Sequence, residues 1–185
     1  MRIDESAQAR RFMSTVVVAV VLFTAATAQG QEEYFGAAKE RRIAFTSRAS
    51  SDSLIAQVQG RGCPEAVLAV TIQQPDGRKI YEYSTQFSGI TADLDVCHTE
   101  GFAQSIVDWI AYQATRERSL SLPEATKVAK DPDCKLLVPA EQYIRLRMAN
   151  VPMVVHSAPG LRRRFVVYDA QAKQAVAILE RRGTP

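Results

Sequence analysis

The chain has 185 residues, of which 46% are hydrophobic and 23% are charged, and its formal net charge is +3 at pH 7. This ordinary globular composition excludes an intrinsically disordered chain. The weak positive charge argues against a nucleic-acid partner, which would need a strongly basic surface.

The N-terminus has the three parts of a secretory signal peptide. Basic residues come first, the apolar run Met13–Ala26 follows, and Ala26-Thr27-Ala28 provides a small-residue cleavage site. The run is shorter than the ~20 residues that a helix needs to cross a bilayer. We predict a signal peptide over residues 1–28 and a single exported α+β domain over residues 29–185, periplasmic or secreted, with no stable transmembrane helix after cleavage. The alternative is an uncleaved N-terminal anchor.

The first half of the exported part is predicted to be β-rich. After a polar lead-in over residues 29–39, strand-like runs cover Ile43–Arg48, Leu54–Gln59, Ala66–Gln74 and Arg78–Phe87. Pro75-Asp76-Gly77 separates the last two runs and has the composition of a tight turn, so it predicts a β-hairpin. Tyr81, Tyr83 and Phe87 are expected on one face of the second strand, as core residues rather than a ligand-stacking surface.

Helical periodicity begins at Thr99 and continues to Glu117, and it places Trp109 on a broad apolar stripe that we expect in the core. Ser121 is expected to cap a second helix that ends near Lys130, and Pro139 to open a third that ends at Ala149. Three further strands are predicted at the end of the chain, over Met153–Ser157, Arg164–Tyr168 and Gln174–Glu180.

Strands, then helices, then strands is an order typical of an α+β fold. We therefore predict an antiparallel sheet of hairpins with two or three helices packed on one face.

Three cysteines lie in the exported part, where disulfides persist. Cys63 precedes the predicted Pro75-Asp76-Gly77 hairpin and Cys97 follows it, and antiparallel pairing brings the two ends of a hairpin together. We predict a Cys63–Cys97 disulfide, with Cys134 free or buried.

The densest group of reactive side chains is the segment Asp93–Glu100, which contains Cys97 and His98. It could supply metal ligands or a Cys/His pair, although a helix start with Asp95 or Thr99 as the cap is the simpler interpretation. His156 is the only other histidine, and no nucleophile elbow, zinc-protease motif or phosphate-binding glycine loop occurs in the sequence. We predict no metal site, no cofactor and no catalytic residue.

Basic residues gather at the end of the chain. If Asp169 faces Gln174 across a terminal hairpin, Arg162 lies opposite Arg181 and Arg163 opposite Glu180. Since one acid cannot neutralise this group, we predict an anion-binding patch at the hairpin mouth, the basic cluster, formed by Arg162, Arg163, Arg164, Arg181 and Arg182. The alternative is a solvated sheet end.

These features favour a non-enzymatic binding or interaction module of the bacterial cell envelope. Its expected partner is an anionic envelope component or another envelope protein. The alternative is a small periplasmic hydrolase or metal-dependent enzyme that uses His98 or His156, and this alternative requires a pocket in which a histidine meets a carboxylate or a cysteine.

Overall fold

A computed structural model of the chain describes residues 34–91, 99, 101–113, 115–116 and 119–183. The predicted signal peptide, Cys97 and His98 lie outside the described residues. The described residues belong to one compact unit, Glu32–Pro185. None of their helices is both long enough and apolar enough to span a membrane.

The first sheet is antiparallel and has four strands in sequence order. They are β1 (Tyr34–Ile43), β2 (Asp52–Arg61), β3 (Val67–Gln73) and β4 (Lys79–Gln86). The hairpin predicted around Pro75-Asp76-Gly77 is confirmed as β3–β4. The strand predicted from Ile43 to Arg48 is wrong, because β1 ends where that strand was expected to begin. The buried Asp52 carboxylate fixes the intervening turn by accepting hydrogen bonds from the backbone nitrogens of Phe45, at 3.1 Å, and Thr46, at 2.7 Å.

The second sheet is also antiparallel among the described residues and has five strands, in the order β5-β7-β8-β9-β6. They are β5 (Thr115–Arg116), β6 (Cys134–Leu136), β7 (Pro152–Ala158), β8 (Arg162–Asp169) and β9 (Gln174–Arg182). The three long strands were predicted, with ends that differ by at most two residues. The short edge strands β5 and β6 were not, since two or three residues carry no readable alternation.

Three α-helices and two short 3₁₀ helices, Cys63–Glu65 and Phe87–Ile90, complete the described fold. The α-helices are α1 (Phe102–Tyr112), α2 (Leu122–Ala129) and α3 (Ala140–Met148). The start of α2 is confirmed, because Ser121 and Glu124 form a capping box. Helix α1 is shorter than predicted at both ends. Its predicted C-terminal turn is wrong because Thr115 and Arg116 pair with β7 instead.

The packing corrects the prediction of one sheet with its helices on one face. One face of the first sheet is covered partly by α1, where Lys39 Nζ lies 3.2 Å from Asp108 Oδ1. The second sheet also packs against this core, through Val154 and Val166. The other face of the second sheet, which carries Met153 and Val167, packs against Tyr143 and Leu146 of α3. The mixed α+β class holds, with two sheets and helices in two separate places.

Trp109 is only half-buried, although it packs against the core around α1. The prediction of a core tryptophan is therefore corrected. Its ring is stacked with a guanidinium group, because the Cζ atom of Arg163 lies 5.5 Å from the ring centroid.

The cysteines are only partly described. Cys63 is fully buried, Cys134 carries a free thiol and is half-buried, and Cys97 lies outside the described residues. The Cys63–Cys97 disulfide stays a prediction.

Candidate functional site

The terminal hairpin, β8 and β9, sets the positions of the basic cluster. Asp169 pairs with Gln174 as expected, but the register shifts between Phe165 and Val166. Because β9 has one extra residue at this bulge, Arg162 lies opposite Arg182, Arg163 opposite Arg181 and Arg164 opposite Glu180. The predicted cross-strand pairs at the open end are therefore wrong by one residue.

This shift separates Arg164 from the rest of the basic cluster. Its Nε atom lies 2.9 Å from Glu180 Oε1, and its Nη2 atom contacts the same oxygen. Its Cζ atom lies 4.3 Å from the centroid of the Tyr83 ring on β4. Arg164 is therefore engaged between the two sheets.

The other four arginines form what we call the arginine mouth: Arg162, Arg163, Arg181 and Arg182, at the open end of the terminal hairpin. Arg163 and Arg181 are exposed and directly opposed, an unfavourable arrangement for like charges. Asp131 lies close to this group, with Oδ2 at 3.9 Å from Arg181 Nη2. The pair is weak, because the distance is long and the Arg181 side chain is exposed. The mouth keeps an excess of positive charge.

A cavity of about 270 Å³ lies beside the arginine mouth. Its walls include Trp109, Ser157, Leu161, Arg162 and Arg163. The Nη1 atom of Arg162 is buried and has no hydrogen-bond partner among the described residues. A buried, unpaired guanidinium N–H is costly, so an anionic oxygen that reached this atom would be stabilised.

The turn before β8 helps to hold this cavity wall. Gly160 and Leu161 have positive φ angles of 72° and 57°, which bring the chain sharply back towards β8. The Gly183 nitrogen donates to the Leu161 carbonyl at 2.9 Å, so the end of β9 is tied to the same turn. A left-handed leucine is strained, and such strain is often found beside ligand sites.

His156 lies in a different place, in a buried polar cluster between the sheets. It is the cross-strand neighbour of Arg164, which in turn faces Glu180, so the three side chains form one row across β7, β8 and β9. The Tyr81 and Tyr83 rings of β4 lie over the imidazole, with centroids at 5.7 and 4.6 Å. We call these five residues the inter-sheet cluster.

Hydrogen bonds define the protonation of His156. Its Nδ1 atom lies 2.8 Å from the Ser157 carbonyl, which can only accept, so Nδ1 carries the proton. Nε2 then accepts from the Tyr81 hydroxyl at 2.8 Å. Burial lowers the pKa of His156 to about 4 and raises the pKa of Tyr81 to about 12. Both groups are therefore neutral at pH 7, and both imidazole nitrogens are occupied.

Arg164 therefore lies between His156 and the nearest carboxylate of this row, that of Glu180. His156 also has no access to solvent, since its exposed fraction is 0%. It does not line the cavity beside the arginine mouth. Among the described residues, no three His, Cys, Asp or Glu side chains are placed to hold a metal ion. Asp93, Asp95, Cys97, His98 and Glu100 lie outside the described residues.

Sequence reasoning identified the arginines and missed the inter-sheet cluster. The available signal was the alternation in β4, which correctly placed Tyr81 and Tyr83 on one face. Phe87, predicted on the same face of this strand, instead begins a 3₁₀ helix directly after it. Their contact with His156 depends on how two sheets pack, and no local pattern encodes that.

Comparisons of the chain with protein families, with curated proteins and with solved structures give no match.

Proposed function

We propose that the protein is a non-enzymatic binding module of the bacterial cell envelope that holds anionic groups of an envelope component at the arginine mouth. The observation that carries this proposal is the Arg162 side chain, which lines a cavity and whose buried Nη1 atom has no hydrogen-bond partner among the described residues. Guanidinium groups donate two parallel hydrogen bonds to phosphate or carboxylate oxygens, and such charge-assisted bonds are strong when they are shielded from water.

Two neighbouring features support an anionic ligand. Arg163 is held against the Trp109 ring, so less side-chain entropy is lost when it binds. Arg163 and Arg181 face each other across the hairpin, and an anion between them would relieve their repulsion.

The enzymatic alternative has weaker support at His156. A general base needs a free nitrogen within reach of a substrate proton, whereas Nδ1 and Nε2 of this residue are both hydrogen-bonded inside the protein. Its low pKa and its complete burial also favour a structural role. We therefore propose binding rather than catalysis.

Intrinsic fluorescence provides a direct test, because Trp109 is the only tryptophan in the chain. Titration with inorganic phosphate and pyrophosphate should change the emission of the wild-type protein, more strongly at low salt, since screening weakens exposed contacts. Arg162→Gln should weaken pyrophosphate binding at least tenfold. The matched control is Arg48→Gln, an exposed arginine of the β1–β2 turn, which should bind as the wild type does.

Two results would refute anion binding at this site. One is an unchanged wild-type emission at millimolar pyrophosphate. The other is equal affinity of Arg162→Gln and the wild type. A response to vesicles with anionic headgroups but not to free phosphate would identify the lipid surface as the source of the anion.

Export to the periplasm is a second part of the proposal, supported by the signal-like N-terminus. Mass spectrometry of unreduced protein from the cell envelope should show a mature chain that begins at or near Gln29. It should also show a linked pair of peptides that contain Cys63 and Cys97. A membrane-bound chain that retains residues 13–26 would contradict export with cleavage, and a linkage through Cys134 would contradict the predicted disulfide.

A further inference from the structure

A second cavity, of about 370 Å³, lies between the helices α2 and α3 and the second sheet. Eight of its twelve lining residues are apolar or aromatic, among them Leu120, Val128, Tyr143, Met153, Val155 and Phe165. The other four are polar: Gln113, Arg147, Arg163 and Arg181. Its volume falls in the usual range for small-molecule sites, ~300–1,000 Å³. We call it the apolar cavity.

The apolar cavity reaches the arginine mouth. Arg163 and Arg181 line it, and both side chains are exposed, so solvent reaches the cavity from their end. Arg163 also lines the smaller cavity, together with Arg162. The two cavities therefore meet at the side chain of Arg163.

We infer that the apolar cavity receives the acyl chain of a single-chain anionic amphiphile, such as a fatty acid or a lysophospholipid, whose head group lies against Arg163 and Arg181. This inference deepens the proposed function and rests on it for the head group. An apolar tail fits walls that offer mostly aliphatic and aromatic contacts, and an anionic head fits a mouth with two directly opposed guanidinium groups.

The chain length of the ligand gives a quantitative expectation. Burial of one methylene group strengthens binding about fourfold in the fully desolvated limit. Octanoate and dodecanoate share one head group and differ by four methylenes. Even with incomplete burial, dodecanoate should bind at least tenfold more tightly than octanoate if the chain enters the cavity.

The experiment measures octanoate, dodecanoate and pyrophosphate by calorimetry, below the micelle concentration of each amphiphile. Val128→Phe fills the apolar cavity, and Val67→Phe is the matched control on an exposed β3 position. The wild type and Val67→Phe should both prefer dodecanoate at least tenfold. Val128→Phe should lose this preference and keep its affinity for pyrophosphate.

The outcomes separate this inference from the proposed function. Equal affinity for dodecanoate and octanoate in the wild type overturns the inference, and retained pyrophosphate binding would leave the proposed function intact. A preference for dodecanoate that persists in folded Val128→Phe also overturns it. If thermal melting shows that Val128→Phe is unfolded, intermolecular nuclear Overhauser effects in the wild type decide: contacts from dodecanoate methylenes to the Tyr143 or Phe165 ring support the inference, and their absence overturns it.

Discussion

Replacement of Glu180 with alanine should lower the free energy of unfolding by about 3 kcal/mol, because it leaves the Arg164 guanidinium between the two sheets without its counter-charge. Loss of one partner from a buried ion pair typically costs about 3–5 kcal/mol. We expect the lower end, since the Arg164 side chain keeps 21% of its exposure while that of Glu180 keeps 8%. Denaturant unfolding at pH 7 measures the difference.

The neighbouring strand β4 offers a matched control for this experiment. Glu82 pairs with Lys79 at 2.8 Å, but the two side chains are 65% and 51% exposed. Glu82→Ala should therefore cost less than ~1 kcal/mol. Equal effects of the two substitutions would mean that Arg164 and Glu180 behave as an ordinary surface pair, and the inter-sheet cluster would lose its structural role.

Acid should destabilise the protein through His156 well before most carboxylates are protonated. The pKa of His156 is about 4 in the folded protein, and its usual value is 6.5. Between these two pH values the imidazole is protonated in the unfolded chain but not in the folded chain. The free energy of unfolding therefore falls as the pH decreases from about 6.5 towards 4. The free energy of unfolding is expected to fall by about 3 kcal/mol in total over this pH range. The pKa is lowered mainly by burial, and the positive charge of Arg164 lowers it further.

The control variant removes the titrating imidazole of His156 and keeps a hydrogen-bond donor in its place. In His156→Asn, the amide nitrogen can still donate to the Ser157 carbonyl, but the side chain does not ionise. This variant should be less stable than the wild type at pH 7, and its stability should change much less between pH 6.5 and 4.5. The readout is the difference in slope between the two proteins. Parallel slopes would show that His156 is protonated as easily in the folded state as in the unfolded state.

Local signals predicted the local structure well. Pro75-Asp76-Gly77 predicted the β3–β4 hairpin through its turn chemistry. Ser121 predicted the start of α2, where the structure shows that it forms a capping box with Glu124. Strand β1 was missed because its charged C-terminal half, from Lys39 to Arg42, resembles a solvated segment. Its pairing with β2 and the ion pair from Lys39 to α1 stabilise the strand instead.

Long-range arrangement could not be predicted in the same way. The strands were assigned to one sheet, since periodicity shows that a strand has a buried face without showing what covers that face. Trp109 lies on the apolar side of α1 as predicted, yet it remains half-exposed because it packs beside the arginine mouth.

In the candidate site too, local features could be predicted and long-range contacts could not. Arg162, Arg163, Arg181 and Arg182 were predictable because the two strands of one hairpin carry them. The pairing of Arg164 with Glu180 was not, since a single bulge residue in β9 changes every partner beyond it. The unpartnered Arg162 nitrogen and the apolar cavity are properties of packing and become visible only in three dimensions.

A crystal structure of the mature protein grown with pyrophosphate tests the central claim most directly. We predict an anion in the cavity beside Trp109, with one oxygen within hydrogen-bond distance of Arg162 Nη1 and another near the Arg163 guanidinium. A structure in which a protein carbonyl or carboxylate satisfies Arg162 Nη1, and the cavity contains no anion at saturating pyrophosphate, would contradict it.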